Sequence, residues 1–182
     1  MIDVTLMLER PDGLQLPETT AAPEKVTGGL VIFAWSGDLD RVWPTLILAN
    51  TAAALGKPVT IFFTFWGLFP LVRNDRGITG KSWMQKMLAV MNRGGTANLK
   101  LSKMNFLGMG PAMMKTLAKR YNVASPQELL ETARDMGVKL IPCQMTMDLM
   151  GLTNGDLIDG IEAPAGAATA LAATEGATTL FI

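Results

Sequence analysis

Four short runs of β-forming residues, set between stretches with helical spacing, constrain this chain more than any other feature. Leu30, Val31, Ile32, Phe33, Ala34 and Trp35 are continuously apolar, as a strand covered on both faces must be; a strand with one wet face would alternate. Residues 59–65 repeat the pattern after Pro58, residues 138–141 supply a third run, and residues 177–182 a fourth. Between the first two, Leu39, Val42, Trp43, Leu46, Ala49 and Ala53 fall on one helical stripe that Gly56 is placed to end. Met84, Met87, Leu88 and Met91 mark one face of a second helix, stopped by Gly94-Gly95, and Pro111 opens a third carrying Met113, Met114, Leu117 and Tyr121. Ser125-Pro126-Gln127-Glu128 combines a capping serine, proline at the first helical position and a glutamate three after the cap, so a fourth helix starts there and ends at Met136-Gly137. Residues 144–150 read as helical and stop at Gly151, and an alanine-rich segment over 165–173 forms a last helix.

Strands alternating with helices predict an α/β fold, a three-layer sandwich with a mainly parallel sheet and helices on both faces. Ligands of such sheets sit beyond the carboxyl ends of the strands. Three strand-end segments are therefore expected on one rim: Ser36-Gly37-Asp38, Thr64-Phe65-Trp66-Gly67 and Cys143-Gln144-Met145. The start of the chain reads differently. Residues 2–8 alternate like a strand, and residues 11–29 collect proline and glycine among polar side chains as a linker does. The division expected is an extension over 1–28 and one α/β domain over 29–182.

Composition excludes much. The formal charge is zero, without the basic footprint that binding nucleic acid requires. There is no histidine and one cysteine, which removes nearly all transition-metal sites and any Ser-His or Cys-His machinery. Thirteen methionines supply soft thioethers, but their helical spacing fits core or interface packing better than a copper(I) site, so no metal and no cofactor are expected. A single cysteine forms no internal disulfide, and the start Met1-Ile2-Asp3-Val4-Thr5 lacks a basic n-region; together they point to the cytoplasm. The uncharged run over residues 58–72 is shorter than the roughly 20 residues of a spanning helix, which leaves room for a peripheral membrane contact but not a crossing. Residues 101–114 carry one charge, Lys103, as a buried subunit contact would.

Cys143 lies between a buried strand and a helix start. There the free amides of the first turn favour thiolate over thiol, and the strand end brings sulfur to the rim. The competing reading is a packed structural cysteine, since free cysteine is among the most buried residue types. Around it, Asp38 and Asp40 suit helix capping or partner contacts, with capping favoured for Asp38. Trp66 and Phe65 suit either a cover over the thiol or the core, and Thr64 is the nearest hydroxyl donor to a sulfur anion. Ser36, Gly37 and Gln144 complete the substrate-binding set.

Five segments, with the Leu-Phe-Ile ending, resemble the DsrE/DsrF-like family in its DsrE2 branch, whose members are often called peroxiredoxin family proteins. They are Ser36-Gly37-Asp38-Leu39-Asp40-Arg41, Phe62-Phe63-Thr64-Phe65-Trp66-Gly67-Leu68, Leu101-Ser102-Lys103-Met104-Asn105, Leu107-Gly108-Met109-Gly110 and Cys143-Gln144-Met145-Thr146-Met147-Asp148-Leu149-Met150-Gly151, in order across residues 30–182. The resemblance implies a three-layer α/β fold, homo-oligomers, and sulfur carried as a persulfide on the cysteine matched by Cys143, passed between sulfur-carrier proteins as donor and acceptor. Pro142 departs from the small residue expected before that cysteine, and proline both removes a backbone donor and stiffens the approach. Two alternatives stand beside this sulfurtransferase-like role. A thiol peroxidase using one cysteine would need the pattern Pro-x-x-x-Thr/Ser-x-x-Cys, which residues 136–142 do not reproduce. A non-catalytic oligomeric or membrane-surface adaptor would bind through residues 58–72 and 101–114.

Overall fold

The computed structural model describes residues 28–77 and 80–182; the strand expected over 2–8 and nearly all of the extension lie outside them. Four parallel strands, β1 (Leu30–Ala34), β2 (Val59–Phe63), β3 (Lys139–Pro142) and β4 (Thr178–Phe181), form one sheet in the order β3-β2-β1-β4. Helices α1 (Leu39–Ala54), α2 (Trp83–Met91), α3 (Met109–Arg120), α4 (Pro126–Asp135), α5 (Gln144–Met150) and α6 (Ala167–Ala172) flank it.

Register explains how the sheet separates two cores. Ile32, Ile61 and Leu140 sit side by side on one face, each almost wholly buried, beneath α1 with its Leu39, Leu46 and Ala49. Burying each such side chain contributes about 1.5–3 kcal/mol. The next residues along each strand, Phe33, Phe62 and Ile141, turn to the other face and pack with Ala170 of α6 and with Cys143. That second layer is thin, because α6 has only six residues. α4 closes the first layer against α1, where Asn50 Nδ2 donates to the Leu129 carbonyl at 2.9 Å and the Trp43 indole N–H to the Ala124 carbonyl at 2.9 Å. The expected capping box forms: Ser125 accepts from the Glu128 amide, and the Glu128 carboxylate accepts from the Ser125 amide.

Three expectations need correction. β1 and β2 end at Ala34 and Phe63, short of residues 35 and 65, because Phe65–Leu71 turns into a 3-10 helix over the end of β1. The Ala34 carbonyl captures the Thr64 amide and the Trp35 carbonyl captures the Gly67 amide, which bends the chain off the strand axis. Second, the run 58–72 is mostly core: Leu68, Phe69, Leu71 and Val72 are buried, and Phe65 and Trp66 are the large apolar side chains it exposes. Third, the stripe Met84-Met87-Leu88-Met91 supplies little to the core: Leu88 packs against it half-buried, and the three methionines are exposed, as an interface and not a core would leave them. No residue of α2 is buried, and the helix is held by its capping box at Ser82 and by Gln85 Nε2, which donates to the Asp148 and Leu149 carbonyls at the end of α5.

Candidate functional site

β3 ends in Pro142 because a proline is tolerable on an edge strand whose neighbour asks nothing of its nitrogen. The Phe63 carbonyl accepts from the Cys143 amide at 2.9 Å, so Pro142 turns its own backbone outward, and its carbonyl accepts from the Ala165 amide at 3.0 Å. The missing N–H therefore costs no bond to β2. Gln144 donates to the Ala165 carbonyl at 3.0 Å, so residues either side of Cys143 are pinned, and α5 begins at once.

Cys143 occupies the N-cap of α5 and is 7% exposed, its side chain on the α6 face of the sheet. As a thiol it makes no capping bond. Burial pushes its pKa up, but donors from the Thr146 hydroxyl and amide, the Thr64 hydroxyl and the Met145 amide more than reverse this, and the thiol ends below its ordinary value. The Thr146 hydroxyl accepts from the Phe65 amide at 3.0 Å and lies 3.4 Å from the Thr64 hydroxyl. Neutral donors thus surround a sulfur that carries charge more easily than a free cysteine does.

The other rim residues divide into two groups. Thr64 follows the end of β2 as Cys143 follows the end of β3, and its hydroxyl is one of the donors that favour the Cys143 anion. Ser36, Gly37, Asp38 and Trp66 assemble one strand away, where a Cβ on Gly37 would stand 2.5 Å from the Trp66 carbonyl oxygen. The buried Ser36 hydroxyl donates to the Asp38 carboxylate at 3.0 Å and accepts from the Asp38 amide at 3.2 Å. Asp38 does hold the N-cap of α1, but its side chain makes no capping bond: Ser36 engages the carboxylate, and the Leu39 amide is satisfied by the Lys100 carbonyl at 2.7 Å. Asp40 binds the Ser102 amide at 2.8 Å and the Ser102 hydroxyl; burial opposes its charge, yet these bonds hold its carboxyl below the usual value.

Trp66 stacks on Phe69 at 5.9 Å and lines a cavity of about 370 Å³ with Trp35, Ser36, Asp38, Arg93 and Lys100, in which Cys143 has no part. Gln144 points along α5 to Asp148 at 2.9 Å and is exposed. A second cavity, of about 610 Å³ between α3 and α4, shares no residue with the rim. Among the described residues no group of three or more His, Cys, Asp or Glu could hold a metal ion, and no helix is long and apolar enough to cross a membrane. Sequence reasoning missed Thr146. The signal was present, since Cys-x-x-Thr at a helix start places the threonine at the position whose side chain folds back on the cap.

The fold places the chain among small α/β proteins of parallel sheet. It superposes on the ychN protein from E. coli with a TM-score of 0.52 over 85% of this chain and 97% of that one, and at 14% identity the likeness is one of fold alone. Sequence narrows the class: the model of the DsrE/DsrF/DrsH-like family matches residues 27–181, and the chain belongs to that family. It is 44% identical over 151 residues, 83% of this chain and 94% of the relative, to the uncharacterized protein YrkE of Bacillus subtilis (strain 168). It is 38% identical over 162 residues, 84% and 97% of the two chains, to a protein of Allochromatium vinosum named sulfur carrier protein DsrE2.

Proposed function

We propose that the chain carries sulfane sulfur as a persulfide on Cys143, in an intracellular relay between a donor and an acceptor protein. The observation that carries this reading is the setting of the thiol: a buried sulfur at a strand end, favoured as an anion by hydroxyl and amide donors. The name of the Allochromatium relative supports the same chemistry. In the first step the Cys143 thiolate attacks the outer sulfur of a donor persulfide. A new S–S bond forms to Cys143, the donor's S–S bond breaks, and the donor leaves as a thiolate. Delivery is the same step in reverse, with an acceptor thiolate attacking the outer sulfur and Cys143 leaving. No net oxidation occurs and no cofactor is called for.

Neutral donors suit a carrier, because a sulfur anion held by hydroxyls and amides is stabilised without being locked in an ion pair. The exposed methionines of α2 and α3, with Trp83 and Phe106, form the surface through which copies of the chain associate in this reading. The same surface favours a second reading, an adaptor that binds partners or a membrane surface with Cys143 incidental. One experiment separates them. Protein charged with a low-molecular-weight persulfide and freed of excess donor is offered a thiol-bearing acceptor protein. Sulfane sulfur appears on the acceptor from the native chain and not from Cys143→Ala. Equal delivery by both chains, or none from either, rejects the carrier.

A further inference from the structure

Four threonines within the helices of this chain share one hydrogen-bond habit, and Thr146 does not follow it. Thr45 donates its hydroxyl proton to the Arg41 carbonyl at 2.8 Å, Thr51 to Ile47 at 2.7 Å, Thr116 to Ala112 at 2.8 Å and Thr132 to Glu128 at 2.8 Å. Each of these bonds stays inside its own helix, four residues back. Thr146, 4% exposed on the first turn of α5, is engaged instead from outside its helix: its oxygen accepts from the Phe65 amide at 3.0 Å. A hydroxyl has one proton and two lone pairs. With a lone pair filled by an amide, the proton is directed away from that amide, toward the side where the Thr64 hydroxyl lies 3.4 Å off and where Cys143 stands at the N-cap of the same helix, three residues back.

We propose that Thr146 is the hydroxyl that holds the Cys143 sulfur as an anion, and that the Phe65 amide, acting through Thr146, fixes the direction of that donation. The chain of donors runs Phe65 N–H to Thr146 O–H to sulfur, and each link polarises the next. Phe65 adopts φ 50°, a left-handed conformation that costs a non-glycine residue of order 1–3 kcal/mol. It is held there because the flanking Thr64 and Gly67 amides are bound at 2.9 Å to the end of β1. The strained turn thus serves to aim one amide at Thr146. The lowered thiol pKa agrees with this arrangement.

The assignment rests on the sulfur-carrier reading for its purpose, but its test needs no sulfur donor. Thiolate absorbance of the reduced protein is titrated in the native chain and in T146V, T146A, T146S and T64V, with circular dichroism confirming the fold. Losing a hydrogen bond to a charged group moves the midpoint up by about one pH unit or more in T146V and T146A. T146S, which keeps the hydroxyl, stays near the native midpoint, and T64V moves less than T146V. Native midpoints in T146V and T146A overturn the proposal, and so does a T146S shift as large as that of T146V, which would assign the effect to the methyl group. Failure of sulfur loading with these shifts intact would sink the carrier reading alone.

Discussion

Gly67 crosses the end of β1 so closely that a Cβ there would stand 2.1 Å from the Ala34 carbonyl oxygen. The obstacle is backbone, so no side chain can swing aside to admit a methyl group. Gly67→Ala is therefore expected to destabilise the chain by about 2 kcal/mol or more, as overpacking does, read from the midpoint of urea unfolding. Its turn also sets Phe65, so the same variant raises the Cys143 titration midpoint. A variant with native stability and a native midpoint would show that the turn does not position the site.

The depressed thiol makes stability depend on pH with a definite sign. Burial raises the Cys143 pKa, the Thr146, Thr64 and Met145 donors lower it, and the net shift is downward. A group depressed by folding contributes stability that is complete above its unfolded value and lost as pH falls through its folded value. The native chain should therefore exceed Cys143→Ala in melting temperature by more at about pH 9.5, above the ~8.5 of unfolded cysteine, than at about pH 5. A difference that does not change with pH contradicts the assignment.

Met113 is 54% exposed on α3, beside Met109 at 71%, so a charge there costs the isolated chain little. If copies associate through this face, Met113→Asp lowers the assembled mass in sedimentation and leaves circular dichroism unchanged. A native chain that sediments at 19.5 kDa would remove the association. Flotation of the native chain, but not of the variant, with anionic lipid vesicles would favour the adaptor.

Local chemistry made some of this legible in the sequence and hid the rest. The start of α4 was readable because Ser125, Pro126 and Glu128 act on their own neighbours, and the bounds of α5 because Pro142-Cys143 and Gly151 flank it. Thr64 and Phe65 read as strand because their propensity is β, but the carbonyls of Ala34 and Trp35, distant in sequence, decide where β2 stops. The stripe on α2 was visible as a stripe, yet periodicity does not say what a face meets. Asp38 had the capping residue type, and a buried Ser36 hydroxyl two positions earlier engaged its carboxylate. The role of Thr146 depends on an amide 81 residues away in a left-handed turn, which no window of sequence contains.

The central claim is that sulfur resides on Cys143, and intact-mass spectrometry after incubation with a persulfide donor tests it most directly. The account predicts a gain of one sulfur atom, removed by a reducing thiol, located by peptide mapping to Cys143 and absent from Cys143→Ala. No gain in the native chain, or a gain that survives Cys143→Ala, would contradict it.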